Sequence, residues 1–218
     1  HLFWCEGFYV HNSGRRGANM QTISIHHPEI KTFINIKRDL KKVTGSNISV
    51  KVTDEFMEAL RKNENYELRW PVDSKNPKIK QSVPAKEIWD EIINNAWESA
   101  EPGVLFWDTV INESPADAYS HKGFRTVSTN PCAELPLSIN DACRLIVLNV
   151  MSCVKNAFKE NAEFDWQKLK EVSYKAQRLM DDLVDLEIEA IDLILKKIDS
   201  DPEPEEVKLI ERNLWLKI

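Results

Sequence analysis

Apolar and polar positions change period several times along the chain, and each change marks an element. Ile48, Val50 and Val52 alternate with Asn47, Ser49 and Lys51, the period of a half-buried β-strand. The stretches around it are helical in period. Ile30, Phe33 and Ile34 share one face of a predicted helix from Pro28 to Arg38, with proline in its first turn. Thr53 or Asp54 caps a second helix to about Lys62. Pro84 opens a third, with Ile88, Ile92 and Ala96 inward, ending near Glu101-Pro102-Gly103. Val104-Leu105-Phe106-Trp107 reads as a buried strand or turn, followed by a helix-like or irregular stretch to His121. Residues 63–82 are polar, carry Pro71 and Pro77, and are predicted to form a surface loop with one edge strand at most. The apolar run Leu145 to Val150 is predicted as a buried strand. Asp165 then caps a long helix with the inward stripe Leu169, Val172, Ala176, Met180, Leu183 and Val184. It runs, with one bend, to about Ile198, and a last helix starts near Glu205 beyond Pro202 and Pro204. Helices interleaved with strands predict an α/β fold class.

The chain has 218 residues, 42% hydrophobic, which is enough for a core. Its formal net charge of −6 argues against nucleic-acid binding through a basic surface, so no nucleic-acid partner is expected. No apolar run approaches the ~20 residues of a membrane span, so neither a membrane association nor any location but the cytoplasm is expected. The four cysteines, Cys5, Cys132, Cys143 and Cys153, lack zinc-type spacing, and a structural disulfide framework is not expected. His26-His27 is the nearest approach to a ligand pair, but adjacent side chains rarely chelate one ion. The acidic residues Asp181, Asp182, Asp185, Glu187 and Glu189 read as a solvated helix face, so no metal site is expected.

The strongest chemical signal is Asn130-Pro131-Cys132-Ala133-Glu134, a thiol between a carboxamide and a carboxylate. Proline fixes its own φ and pushes Asn130 toward extended backbone, so the loop has few shapes. A cysteine protease needs a histidine beside the thiol, and none lies near in sequence. The trio suits a cysteine that gives up a hydrogen atom while its neighbours grip hydroxyl groups.

This motif resembles the finger loop of the large catalytic subunit of ribonucleotide reductase, at the centre of that family's ten-stranded α/β barrel. The resemblance implies that Cys132 is the thiyl radical site that abstracts the ribose 3′ hydrogen. It also implies that Glu134 is general base on the 3′ hydroxyl and that Asn130 binds the sugar hydroxyls. In Asp141-Ala142-Cys143-Arg144-Leu145, Cys143 matches the family cysteine that reduces C2′ and ends in a disulfide; its usual upstream partner has no match here. Ser13-Gly14-Arg15-Arg16-Gly17-Ala18-Asn19-Met20 resembles the loop through which an allosteric nucleotide signals to the active site. Its glycines allow close backbone approach, Arg15 and Arg16 suit a phosphate or base edge, and Asn19 is placed to bond a base. Residues 47–50 and 53–57 match the segment after it, and Ala176 to Glu187 resembles the adenosylcobalamin-dependent, class II branch.

The first twelve residues read differently. His1, the aromatic stretch, Gly7 and His11-Asn12 before Ser13 resemble the C-terminal end of an intein. There Ser13 would accept the upstream segment as an ester, Asn12 would cyclise and cut the chain, and His1 and His11 would supply protons. The alternation in Phe8-Tyr9-Val10 also suits a strand. The expected domains are therefore an intein remnant over 1–12 and a partial reductase barrel over 13–218, a fragment of a longer protein.

The resemblance implies adenosylcobalamin as cofactor in the complete enzyme. Its expected partners are a ribonucleoside di- or triphosphate substrate, a deoxynucleotide or ATP effector, a thioredoxin-type reductant, the remainder of the subunit and a second copy in a homodimer. No turnover is expected from this chain alone. Three alternatives stand beside this reading. One is an iron-dependent, class I large subunit. Another is a C-terminal splicing partner whose reductase portion is mere extein. The third is a non-catalytic helical interaction module.

Overall fold

The computed structural model describes residues 2–5, 8–11, 17–39 and 41–216, the first two stretches by backbone alone. Among them, β1 (Leu2–Cys5) and β2 (Phe8–His11) form an antiparallel hairpin with Leu2 opposite His11. The chain divides into two compact units, His1–Ile139 and Asn140–Ile218.

The first unit is built on β3 (Asn19–Ser24), α1 (Ile30–Asn35), β4 (Ser46–Val52), α2 (Asp54–Lys62), β5 (Asn65–Trp70), β6 (Ile79–Pro84), α3 (Ala85–Ser99), β7 (Gly103–Phe106) and α4 (Trp107–Glu113). Two short strands follow, β8 (Ser128–Thr129) and β9 (Pro136–Leu137). β3, β4 and β7 make a parallel sheet in that order, with Thr22 beside Ser49 and Ser49 beside Gly103. Parallel neighbours need long crossovers, and α1 and α3 lie in them.

Period-two alternation gives this sheet two unlike faces. Val50, Val52, Ile23 and Val104 join one core with Ile30, Ile34, Phe56, Ile88 and Ile92 of the helices. Thr22, Asn47, Ser49 and Lys51 occupy the other face, in register. The helices start and stop as their termini dictate. The Thr53 hydroxyl accepts the Phe56 amide at 3.3 Å, and Asn63 ends α2 in the left-handed region at φ 55°.

The segment predicted as a surface loop is instead an antiparallel hairpin, β5 with β6, pairing Tyr66 with Val83 and Leu68 with Gln81. Tyr66, Leu68 and Val83 are buried in the core, so the hairpin is pinned by one apolar side while its other side stays charged.

The second unit holds β10 (Val154–Lys155), β11 (Glu163–Phe164), α5 (Trp166–Ser200) and α6 (Glu205–Trp215), preceded by a 3₁₀ turn at Val150–Cys153. Asp165 caps α5 as expected, its carboxylate accepting the Lys168 amide at 2.9 Å. Cys153 is buried.

The barrel expected of this chain was a partial one: the strands lie in separate sheets of two or three, and among the described residues they close no barrel. Closure needs every strand paired on both sides, whereas β3 and β7 each have one neighbour. Two expectations need correction. Leu145 to Val150 is not a buried strand: Leu145 is 80% and Val147 89% exposed, because among the described residues no strand pairs with the run and no layer covers it. On α5 the expected inward stripe is buried only at Ala176; Leu169, Val172 and Met180 are half-buried, and Leu183 and Val184 stay exposed, with no apolar layer against them among the described residues.

Candidate active site

The motif Asn130 to Glu134 forms the turn between β8 and β9, whose strands pair Ser128 with Leu137 and Thr129 with Pro136. Asn130 closes the turn on itself. Its amide donates to the Leu135 carbonyl at 3.1 Å, and its side-chain Oδ1 accepts the Leu135 amide at 3.1 Å. Its carbonyl accepts the Ala133 amide and the Thr129 hydroxyl, both at 3.0 Å. Ala133 takes φ 68°, the left-handed conformation that reverses the chain. Since Oδ1 is committed to the turn, the group Asn130 offers a ligand is its Nδ2 donor. Cys132 and Glu134 project from the tip, both exposed, and the Cys132 thiol is free.

Side chains of the parallel sheet hold this hairpin from below. Asn47 Nδ2 on β4 donates to the Pro131 carbonyl at 2.6 Å, one residue before the thiol. Lys51 Nζ, four residues along the same face, donates to the Val127 carbonyl at 2.5 Å. On β3, the Thr22 and Ser128 hydroxyls meet at 3.4 Å. Between the two β4 anchors lies Ser49, 3% exposed, beside Gly103, where an added Cβ would sit 2.7 Å from Ser49 Oγ. The face under the hairpin is therefore flat and polar. Burial lowers the Lys51 pKa, with Asp73 opposing, and its ammonium also sits 3.9 Å from the Trp107 ring centroid.

Sequence reasoning saw Asn47, Ser49 and Lys51 only as the wet side of a strand and made nothing of Thr22. Asn47, Lys51 and Thr22 were the functional candidates it passed over. The available signal was Asn47 and Lys51 sharing a face with a serine between them, too little to name what lies above.

Cys143 is exposed and lies in the second unit, in the stretch 141–149 without regular secondary structure. Gly17 and Ala18 are exposed and irregular, and Asn19 is the exposed first residue of β3. His1, Asn12, Ser13, Gly14, Arg15 and Arg16 lie outside the described residues, and of His11 only the backbone, at the end of β2, is described.

A second polar cluster sits where β3 and β4 end. His26 is 4% exposed, with the Tyr66 hydroxyl 2.7 Å from Nδ1 and 2.8 Å from Nε2, and Arg69 Nη2 3.2 Å from Nε2. Burial first, then the Arg69 charge, lowers the His26 pKa; burial raises that of Tyr66 well above its usual range. A cavity of about 420 Å³ opens beside them, lined by Lys51, Glu55, Asp73, Trp107 and Asp108 among others. Its charges are spoken for: Arg69 pairs with Glu55 at 3.4 Å, and Asp108 accepts the Asp54 amide at 2.7 Å. His27 turns away to the edge of Trp70, ring centroids 4.8 Å apart, so the two histidines share no ligand. Among the described residues no three His, Cys, Asp or Glu side chains are grouped to hold a metal ion, and no helix is long and apolar enough to cross a membrane.

Residues 7–200 match the family described as ribonucleotide reductase, barrel domain. The vitamin B12-dependent ribonucleoside-diphosphate reductase of Thermoplasma acidophilum is 37% identical over 172 residues, 78% of this chain and 21% of that protein. The Mycobacterium tuberculosis protein of the same description is 32% identical over 173 residues, 79% of this chain and 23% of its own length. The vitamin B12-dependent ribonucleotide reductase of Rhodopirellula baltica is 31% identical over 179 residues, 72% of this chain and 16% of that protein. The chain thus spans about a fifth of the length of these curated relatives.

Proposed function

The chain belongs to the ribonucleotide reductase barrel-domain family, and from that premise we propose that it is part of the catalytic subunit of an adenosylcobalamin-dependent ribonucleotide reductase, with Cys132 as the reacting thiol. The observation that carries this reading is the hairpin tip: a free, exposed cysteine and a carboxylate on a turn closed by Asn130 and held by β4.

In the complete enzyme the Cys132 thiyl takes the hydrogen atom from C3′ of the ribonucleotide, and Glu134 accepts the 3′-hydroxyl proton. Asn130 Nδ2 binds a sugar hydroxyl. Water leaves C2′, two electrons come from Cys143 and a second thiol as they join in a disulfide, and Cys132 returns its hydrogen to C3′. The cofactor, when bound, supplies the one-electron chemistry that makes the thiyl. Cys132 meets the requirement this places on the loop, because its sulfur is open to approach. The relatives' vitamin B12-dependent descriptions favour this cofactor over the iron-dependent alternative.

A nucleoside diphosphate substrate is consistent with the names of two of these relatives. Residues 14–19 form part of the effector loop for a deoxynucleotide or ATP. A thioredoxin-type protein re-reduces the disulfide, and the complete subunit is a cytoplasmic homodimer. These 218 residues alone give no turnover, since nothing here matches the partner of Cys143. The first twelve residues are an intein remnant; the hairpin register that sets Leu2 opposite His11 supports it by bringing the ends of that stretch together.

The test is Cys132→Ser in the complete subunit. Deoxynucleotide formation is expected to fall to background, while Cys153→Ala, at a buried structural cysteine, retains turnover. Retained turnover in Cys132→Ser overturns the reading.

A further inference from the structure

We infer that Asn47 is a positioning residue that fixes Cys132 through the Pro131 carbonyl, with Lys51 as its counterpart at the far end of the same strand. This rests on the reading of Cys132 as the reacting thiol.

The argument is one of matched spacing. Asn47 donates to Pro131 and Lys51 to Val127, so four residues on β4 answer four on the hairpin, in opposite chain directions. Both intervals span roughly 13 Å in extended backbone. The segment leading to the cysteine is therefore clamped at both ends across the polar face of β4, and Thr22 on β3 touches it between, at Ser128. Two of these contacts take backbone carbonyls as acceptors, so they hold the path of the chain rather than any one side chain.

The Asn47 contact matters most for placement. Within the turn, the bonds from Asn130 hold the tip's shape but not its position over the sheet. Asn47 joins the tip to the sheet, one residue from the thiol. Neither Asn47 nor Lys51 is assigned a part in substrate binding or proton transfer. Their effect runs through where the loop sits, and displacement of a reacting group by ~1 Å can cost about 100-fold in rate.

The experiment compares Asn47→Asp, Asn47→Ala and Lys51→Met in the complete subunit. Asn47→Asp keeps the shape but replaces the donor with an acceptor facing a carbonyl oxygen. We expect kcat to fall about 10-fold to 100-fold, most in Asn47→Asp, with KM for the nucleotide within about twofold. The rate of Cys132 alkylation by iodoacetamide, without cofactor or substrate, should change at least about threefold as the thiol's surroundings shift. Alkylation reads loop placement whether or not Cys132 reacts with substrate, so its outcome is separate from that of Cys132→Ser. Unchanged alkylation and kcat in Asn47→Asp overturn the inference. So does a loss of turnover matched by a loss of Tm with alkylation of the folded protein unchanged.

Discussion

The two units of this chain use the same local devices and reach different ends. In the first, amphipathic helices lay their apolar stripes on one face of a parallel sheet, and Phe56, Ile88 and Ile92 lose all contact with solvent. In the second, α5 and α6 are just as amphipathic in sequence, yet Leu179, Leu186, Leu193, Leu209 and Leu214 are 57% to 65% exposed. The long helix is held by its Asp165 cap and by i,i+4 pairs such as Lys175 with Glu171 and Arg178 with Asp182. Such exposed pairs contribute only a few tenths of a kcal/mol each. The lesson is that periodicity specifies a helix, while a core needs a second layer whose apolar face meets it. The first unit is therefore the platform on which a cysteine can be placed with accuracy, and Cys132 is found there.

The sharpest way to break this contrast is paired truncation in the 218-residue chain. Phe56→Ala, removing a ring that meets Tyr66 edge-on at 5.0 Å, should cost about 3–5 kcal/mol. Leu209→Ala should stay within about 0.5 kcal/mol. Urea denaturation checks both, and equal costs would erase the distinction between the units.

A smaller effect separates the units by pH. His26 titrates lower in the folded first unit than its ordinary 6.5 because it is buried. Folding then favours the neutral ring, so its contribution is full above pH 6.5 and is lost as pH falls below that toward the folded pKa. Asp165 in the second unit is held below its ordinary 3.8, first by the Lys168 amide and next by the Lys155 side chain. Its contribution is full above pH 3.8 and is lost only in stronger acid. Acidification just below pH 6.5 should weaken the first unit while leaving the α5 cap intact. Thermal melts of His26→Gln, whose acid loss over that range should vanish, check this; a persistent loss would remove His26 as the cause.

What could be read from the sequence follows the range of the forces. Thr53 and Asp165 were legible as caps because the accepting oxygen and its amide lie three residues apart. The alternation of Ile48, Val50 and Val52 was legible for the same reason, being internal to one strand. The hairpin at 65–84 was missed because Glu67, Arg69 and Lys80 on its exposed side masked the alternation of Tyr66 and Leu68. The run at Leu145 was misread because an apolar segment becomes a strand only where a neighbour offers hydrogen bonds. In the site, the motif residues named themselves through their chemistry. Asn47 and Lys51 lie 84 and 76 residues from their acceptors, and nothing local announces a partner that far away.

The most direct test of the central claim is rapid-freeze electron paramagnetic resonance on the complete subunit mixed with adenosylcobalamin and nucleotide. If Cys132 carries the unpaired electron, deuterium at the β-carbon of its cysteines should narrow the signal, and Cys132→Ser should abolish it. A signal that survives in Cys132→Ser and still responds to the label would place the radical on another thiol and contradict the role given to this hairpin.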